Sequence, residues 1–224
     1  SSTTETNTEK IVKNNILFSC SLLEKCIEKR IPFVYASSAS VYGLGRSGFV
    51  ESINTSPLNY YATSKATLDI IVKQKIQDNP DSKIVGLRYF NVYGTGESHK
   101  GDMASPVHKF LRQANISNVI RVFEGSNGFK RDFVHVDDIV EITRSAKEFP
   151  SGVYNAGTGM PRSFLDVAKI VSRLTGAKIE KIPFPKHLVG KYQEYTCSDN
   201  TVINGLGYPI SRISLEDGIE DIYK

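Results

Sequence analysis

Several things are scarce in this sequence, and each scarcity narrows its function. Three cysteines, Cys20, Cys26 and Cys197, make an odd number, and no Cys-x-x-Cys pair occurs. That argues against a disulfide framework or a zinc site and fits a reducing, cytoplasmic compartment. No metal is expected. No apolar run approaches the ~20 residues that span a membrane. The polar opening "SSTTETNTEK" carries no signal-peptide pattern. Lysine and arginine form no run, and the net charge of +4 over 224 residues is mild. Neither a nucleic acid nor a membrane surface is expected as a partner; a modest pull on anionic small molecules is. Internal repeats and low-complexity segments are missing. So is any G-x-G-x-x-G that follows a strand and opens a helix. Gly43, Gly45 and Gly48 follow a strand, but no helix comes at once, and "NAGTGMPRS" lacks the third glycine.

What is present has α/β character. From Glu9 to Lys29, Val12, Ile16, Leu17, Leu22, Leu23 and Ile27 recur at helical spacing. "IPFVYASS" reads as a buried strand from Ile31 to about Ala36. "SPLNYYATSKATLDIIVKQKI" predicts a helix, with Ser56 as cap and Pro57 in the first turn. "KIVGLRYFNVYG" is a second apolar strand. A helix between two strands implies a crossover and a parallel sheet. Beyond Gly94 the spacing predicts helices in "ASPVHKFLRQA", "VDDIVEITRSAKEF", "SFLDVAKIVSRLTG" and "SLEDGIEDIYK". Strands are expected in "NVIRVFEG", "RDFVHV", "GVYNAGTG" and "AKIEKIPF". Ser163 should cap its helix, whose face is Phe164, Val167, Ala168, Val171 and Leu174.

Three stretches carry candidate chemistry. Tyr61 and Lys65 in "YATSK" lie four apart, on one helix face. A lysine ammonium near a phenol favours the phenolate, which makes a tyrosine usable as acid or base. With 11 tyrosines in the chain, such a pair alone reads as a solvated helix face. Ser37 and Ser38 end the preceding strand, where ligands bind in open parallel sheets; alone, they read as strand-end hydroxyls. The third stretch is "RYFNVYGTGESHKGDMAS", which delivers His99 and Lys100 in a loop after a strand.

Taken together, Ser38, then Tyr61 and Lys65 on a helix, then a strand ending "RYFNVYG", resemble the extended short-chain dehydrogenase/reductase family acting on nucleotide-sugars. The blocks "HKGDMAS", "FEGSNGFKRDF" and "GKYQ" resemble the branch that inverts C6 of an ADP-heptose, a precursor of the lipopolysaccharide inner core. The resemblance runs essentially from Ser1 to Lys224. It implies a Rossmann-like, doubly wound parallel sheet, incomplete here, with a smaller C-terminal α/β substrate lobe. Residues 1–94 would belong to the cofactor domain, with 131–160 returning to it. Residues 95–130 and 161–224 would form the substrate lobe.

The resemblance also assigns roles. The reaction would be NADP-dependent C6 epimerisation through a 6-keto sugar. Tyr61 would exchange a proton with the sugar hydroxyl, Ser38 would orient the reacting oxygen, and Lys65 would hold the nicotinamide ribose and lower the Tyr61 pKa. Lys100 would be the second acid/base, with burial or the cation Lys65 lowering its own pKa; Gly101 would give its loop freedom. Ser1, Asn14 and Val92 would join Tyr61, Lys65 and Lys100 in holding the cofactor. Asn91, Phe123, Glu124, Gly125, Ser126, Arg131 and Tyr192 would contact the substrate, Arg131 by bidentate bonds to the diphosphate. A structural pairing of Arg131 with Asp132 or Asp137 is the alternative. Where the family has a histidine six positions after the methionine, this chain has Lys109, with His108 one earlier; one residue rotates a helical side chain by about 100°. Asp102 is expected on sugar hydroxyls or on the Lys100 ammonium.

Aligned on these motifs, Ser1 falls roughly 75–80 residues into a family member, past the first mononucleotide-binding half. The chain then corresponds to the C-terminal two-thirds of such an enzyme, with an exposed sheet edge. The family implies homo-oligomers. Two alternatives stay open: another nucleotide-sugar epimerase or dehydratase, or a catalytically incompetent binding subunit that lacks the glycine-rich cofactor turn.

Overall fold

The computed structural model describes residues 5–45, 48–53, 55–186, 193–208, 210 and 212–224. Ser1 and Tyr192, two of the expected ligand contacts, lie outside them.

The first helical stretch has three parts: α1 (Thr8–Ile11), a π-helical segment (Val12–Leu17) and α2 (Phe18–Glu28). The expected apolar face is only partly the buried one. Ile11, Asn15 and Leu23 are buried, whereas Val12, Leu17 and Leu22 are exposed. The π segment adds a residue to its turns, so the stripe is out of phase with a 3.6-residue count. Arg30 adopts φ 54° and the Ile31 N–H returns to the Cys26 carbonyl at 2.8 Å. That αL closure claims Ile31 for the helix end. Strand β1 therefore runs Phe33–Ser38, later than expected.

Helix α3 spans Tyr60–Asp78. Its cap is Asn59, whose side chain accepts from the Ala62 N–H at 2.9 Å, and not Ser56. Ser56 is held elsewhere: its N–H donates to the Val41 carbonyl at 2.8 Å. Gly43 packs against it for lack of a side chain, since a Cβ there would meet the Ser56 oxygen at 1.9 Å.

Strand β2 (Ile84–Tyr89) pairs in parallel with β1, from Phe33↔Ile84 to Ser38↔Tyr89. The single strand expected through "NVYG" is two. After Phe90 the chain leaves this sheet as β3 (Asn91–Tyr93). A 3-10 segment (Glu97–Met103) follows, then α4 (Pro106–Ser117), capped by Ser105. Next come β4 (Val119–Phe123), β5 (Lys130–His135), α5 (Val136–Ser145) and β6 (Gly152–Ala156). The chain continues through β7 (Pro161–Ser163), α6 (Phe164–Thr175), β8 (Lys178–Ile182), α7 (Thr201–Gly205) and α8 (Leu215–Tyr223). Ser163 caps α6 in a reciprocal capping box with Asp166, as the sequence predicts.

Among the described residues the strands form three sheets: β1-β2-β6, β3-β5-β7 and β4-β8. The first is wholly parallel, and its central strand is apolar on both faces. Ile84 packs with Phe33, Tyr35, Leu23, Leu68 and Val153 on one side; Val85 and Leu87 pack with Ile139, Ile142 and Ile203 on the other. The fold is thus α/β with parallel sheets, as expected. A second core joins α4, α6 and α8 through Val107, Leu111, Val171 and Ile219. Each such side chain contributes about 1.5–3 kcal/mol on burial. Among the described residues no helix is long and apolar enough to cross a membrane.

Candidate active site

The parallel strands β1 and β2 end together, and their ends open a cavity of about 590 Å³. Ser38 is the last residue of β1; its Oγ accepts from the Ser40 N–H at 3.2 Å and the Ser40 hydroxyl at 2.9 Å. Its neighbour Ser37 points away, with its hydroxyl buried and no hydrogen-bond partner among the described residues. Tyr61 enters from the first turn of α3, which the Asn59 cap fixes. Asn91, Val92, Glu97 and Lys100 complete the wall with Gln193 and Thr196. The structure therefore brings Ser38, Tyr61, Asn91, Val92 and Lys100 to one cavity. Thr196 donates to the Asn91 side-chain oxygen at 3.3 Å and fixes that amide.

Lys65 lies beside this group, 5.8 Å from the Tyr61 ring centroid, and donates to the Ala36 carbonyl at 2.8 Å. The expected lowering of the Tyr61 pKa is not found. Burial pushes the phenol up, and a hydrogen bond with Ser38 pulls against it. Lys65 itself is lowered by burial, with Asp69 opposing. The cause is geometric: the Lys65 ammonium is turned to a backbone carbonyl.

Lys100 lacks the burial expected of it. Its side chain is 44% exposed, and its ammonium lies 3.5 Å from the Glu97 carboxylate. The next residue, Gly101, adopts φ 53° and ψ −124°, and a Cβ there would meet nothing within 4 Å. Conformation and not space demands glycine there.

A second cavity of about 600 Å³ shares Asn91, Met103, Ala104 and Pro106 with the first. Phe123, Ser126, Arg131, Asp102 and Lys109 line it, with Phe129, Phe164, Gln113 and Arg121. Arg131 is buried; it donates to the Lys130 carbonyl at 3.0 Å and lies over the Phe164 ring. Asp132 takes its hydrogen bonds from Thr158, Gly159 and Ser198, and Asp137 lies beside His135. Lys109 faces this cavity, whereas His108 lines a separate groove with Arg112 and Tyr223. Glu124 and Gly125 are exposed in the turn after β4 and do not line the cavity. Asn14 is exposed on the π segment, next to Asn15, which donates to Ser64 at 2.9 Å.

Sequence reasoning missed Glu97, which looked like one more polar residue in a glycine-flanked loop. It also missed Phe129, Phe164, Gln113 and Arg121. Phe129 lies within the "FEGSNGFKRDF" block, and Phe164 reaches the cavity from the start of α6.

The donor set fits the nicotinamide end of a dinucleotide. A hydroxyl, a phenol and an ammonium converge at the carboxyl ends of parallel strands, where such ligands bind. A family model described as the NAD dependent epimerase/dehydratase family matches residues 1–157. The chain belongs to this family. The ADP-L-glycero-D-manno-heptose-6-epimerase of Brachyspira hyodysenteriae is 42% identical over 225 residues, 98% of this chain and 71% of that protein. The protein of the same name from Alkalilimnicola ehrlichii is 43% identical, over 99% of this chain and 71% of its own length. The crystal structure of Helicobacter pylori ADP-L-glycero-D-manno-heptose-6-epimerase superposes with a TM-score of 0.85 at 33% identity. The match covers 98% of this chain and 67% of that one. Family membership carries a nicotinamide cofactor and epimerase or dehydratase chemistry on a nucleotide-sugar.

Proposed function

We propose that the chain interconverts ADP-D-glycero-D-manno-heptose and ADP-L-glycero-D-manno-heptose at C6, with NADP as cofactor. The observation that carries this reading is the shared wall of the two cavities: Asn91 lines both, between Tyr61 and Lys100 on one side and Arg131 and Phe123 on the other. A ligand spanning them would place a sugar at the acid/base groups and a nucleoside diphosphate among aromatics and a guanidinium.

A nicotinamide bound at Ser38, Tyr61 and Lys65 supplies the reversible oxidation of C6. Val92 and Lys100 line the same cavity and would join in holding it, with Ser1 and Asn14. Tyr61 takes or returns the hydroxyl proton, Ser38 orients the oxygen, and Lys65 holds the ribose. Inversion requires the 6-keto sugar to present its other face, and a second acid/base must serve that geometry; Lys100, which lines the same cavity, would be that group. Arg131 pairs with the diphosphate through its planar fork. Phe123 and Ser126 hold the nucleotide, with Glu124 and Gly125 in the same turn. Asn91, Asp102, Lys109 and Tyr192 contact the substrate.

In this reading residues 1–94 and 131–160 make the cofactor lobe, and 95–130 with 161–224 the substrate lobe. A cytoplasmic homo-oligomer that feeds lipopolysaccharide synthesis is the matching setting. The test is proton NMR of ADP-D-glycero-D-manno-heptose incubated with the protein and NADP. Inversion at C6 alone is expected. Loss of water or inversion at another carbon would move the assignment to another member of the family.

A further inference from the structure

We infer that Glu97 is a positioning residue that holds Lys100 by its charged end and ties the Lys100 segment to the mouth of the cavity. The inference rests on the reading of Lys100 as second acid/base. Glu97 sits three residues before Lys100, and its side chain is only 4% exposed. A carboxylate is rarely buried in a loop without a task. Its oxygens reach three parts of the site. One accepts from the Ser105 hydroxyl at 2.6 Å and the Gly94 N–H at 3.3 Å. The other accepts from the Ser105 N–H at 2.8 Å and the Lys100 ammonium at 3.5 Å.

Those contacts join the end of β3, the N-cap of α4 and the candidate acid/base. Ser105 is itself fixed, because its hydroxyl also accepts from the His108 N–H at 3.2 Å. Bonds to Ser105 and Gly94, with the Lys100 charge, keep Glu97 ionised: its pKa is held below the usual carboxylate value although burial pushes it up. A fixed negative charge at this distance attracts the Lys100 ammonium. The ammonium is thereby parked at the cavity wall, beside the space that Tyr61 faces.

The titratable and charged groups around Glu97 come from several elements. Lys100 shares its segment, with His99 and Asp102 nearby in the chain. Tyr61 from α3 and Tyr89 from β2 line the cavity in common with it. His108 and Arg112 from α4 and Tyr223 from α8 line the groove on its other side. Lys100 makes the ion pair.

The experiment is acetic anhydride labelling of the whole chain at fixed pH, read by peptide mass spectrometry against exposed Lys73 as reference. Only the neutral amine reacts. Glu97→Gln is expected to raise Lys100 acetylation about threefold, because the amine is released from the carboxylate that holds it, a modest effect for a partly exposed pair. Ser105→Ala loosens the same loop but keeps the charge, and should leave the Lys100 rate near that of the parent. An unchanged rate in Glu97→Gln overturns the inference, and so does an equal rise in Ser105→Ala. Should Glu97→Gln fail to fold, Glu97→Asp draws the carboxylate back by one methylene; a rate above the parent supports the inference and an equal rate overturns it. In the epimerase assay with NADP, Glu97→Gln should lower kcat with KM little changed, and add nothing in a Lys100→Ala background. Full activity of Lys100→Ala would remove the acid/base reading, while the labelling result would stand by itself.

Discussion

Lys65 and Tyr61 share a face of α3, yet the Lys65 ammonium donates to the Ala36 carbonyl and not to the phenol, from which Ser38 alone draws a pKa-lowering bond. Burial therefore dominates, and the Tyr61 pKa lies above the ordinary tyrosine value. A base must be deprotonated to act, so a higher pKa moves the ascending limb of activity to higher pH. Removing the hydroxyl that opposes burial raises it further. Ser38→Ala should lower kcat by about 10- to 100-fold and shift that limb upward. A pH–rate profile whose limb stays in place would show that Ser38 does not tune Tyr61.

Lys109 and His108 separate two faces of α4. Lys109 lines the larger cavity and His108 the groove behind it. Lys109→Ala should raise KM for the nucleotide-sugar several-fold, while His108→Ala leaves KM within about twofold, as expected of a surface substitution. Steady-state kinetics on both variants decides it, and the reverse ranking would refute the placement.

The sheet and α3 are joined by a buried pair. Arg88 Nε lies 2.9 Å from Asp69 Oδ2, both side chains nearly inaccessible, with Tyr35 donating to the other oxygen at 2.8 Å. Asp69→Ala leaves a guanidinium buried without its counter-charge and should cost about 3–5 kcal/mol of stability. Urea unfolding measures this; a loss below about 1 kcal/mol would mean that water or Tyr42 replaces the carboxylate.

Strand β7 and helix α8 are linked by Arg162, whose guanidinium meets Glu216 at 2.7 and 3.2 Å. That bond holds the Glu216 carboxyl below its usual value of 4.5. A carboxylate with a lowered folded pKa stabilises the fold above its unfolded pKa. The contribution fades as pH falls below 4.5 through the folded value. Both partners are partly exposed, so the pair contributes less than about 1 kcal/mol. Thermal unfolding across this range should fall less steeply in Glu216→Gln than in the parent; parallel curves would contradict the linkage.

The sequence carried the site further than it carried the framework. Ser38, Tyr61 and Lys100 were legible because strand ends, helix spacing and a glycine-flanked lysine each leave a local mark. Glu97 left none: its importance comes from Ser105 and Gly94, which the fold brings to it. Asn59 lost to Ser56 as a predicted cap because Ser-Pro is the stronger local signal, and only the Ser56 bond to Val41 overrides it. The helix at residues 8–28 was found, but its face was misread at Val12, Leu17 and Leu22 because a π segment cannot be counted in steps of 3.6. Lys65 was placed correctly on the helix, while its turn toward Ala36 depends on where β1 ends.

The central claim is that Tyr61 and Lys100 serve one cavity as two acid/bases. The most direct measurement is epimerisation by Lys100→Ala with NADP binding followed alongside. A loss of about 10²- to 10⁴-fold in turnover, with cofactor affinity retained, is expected if Lys100 completes one of the two proton transfers. Full epimerase activity in that variant would contradict the account.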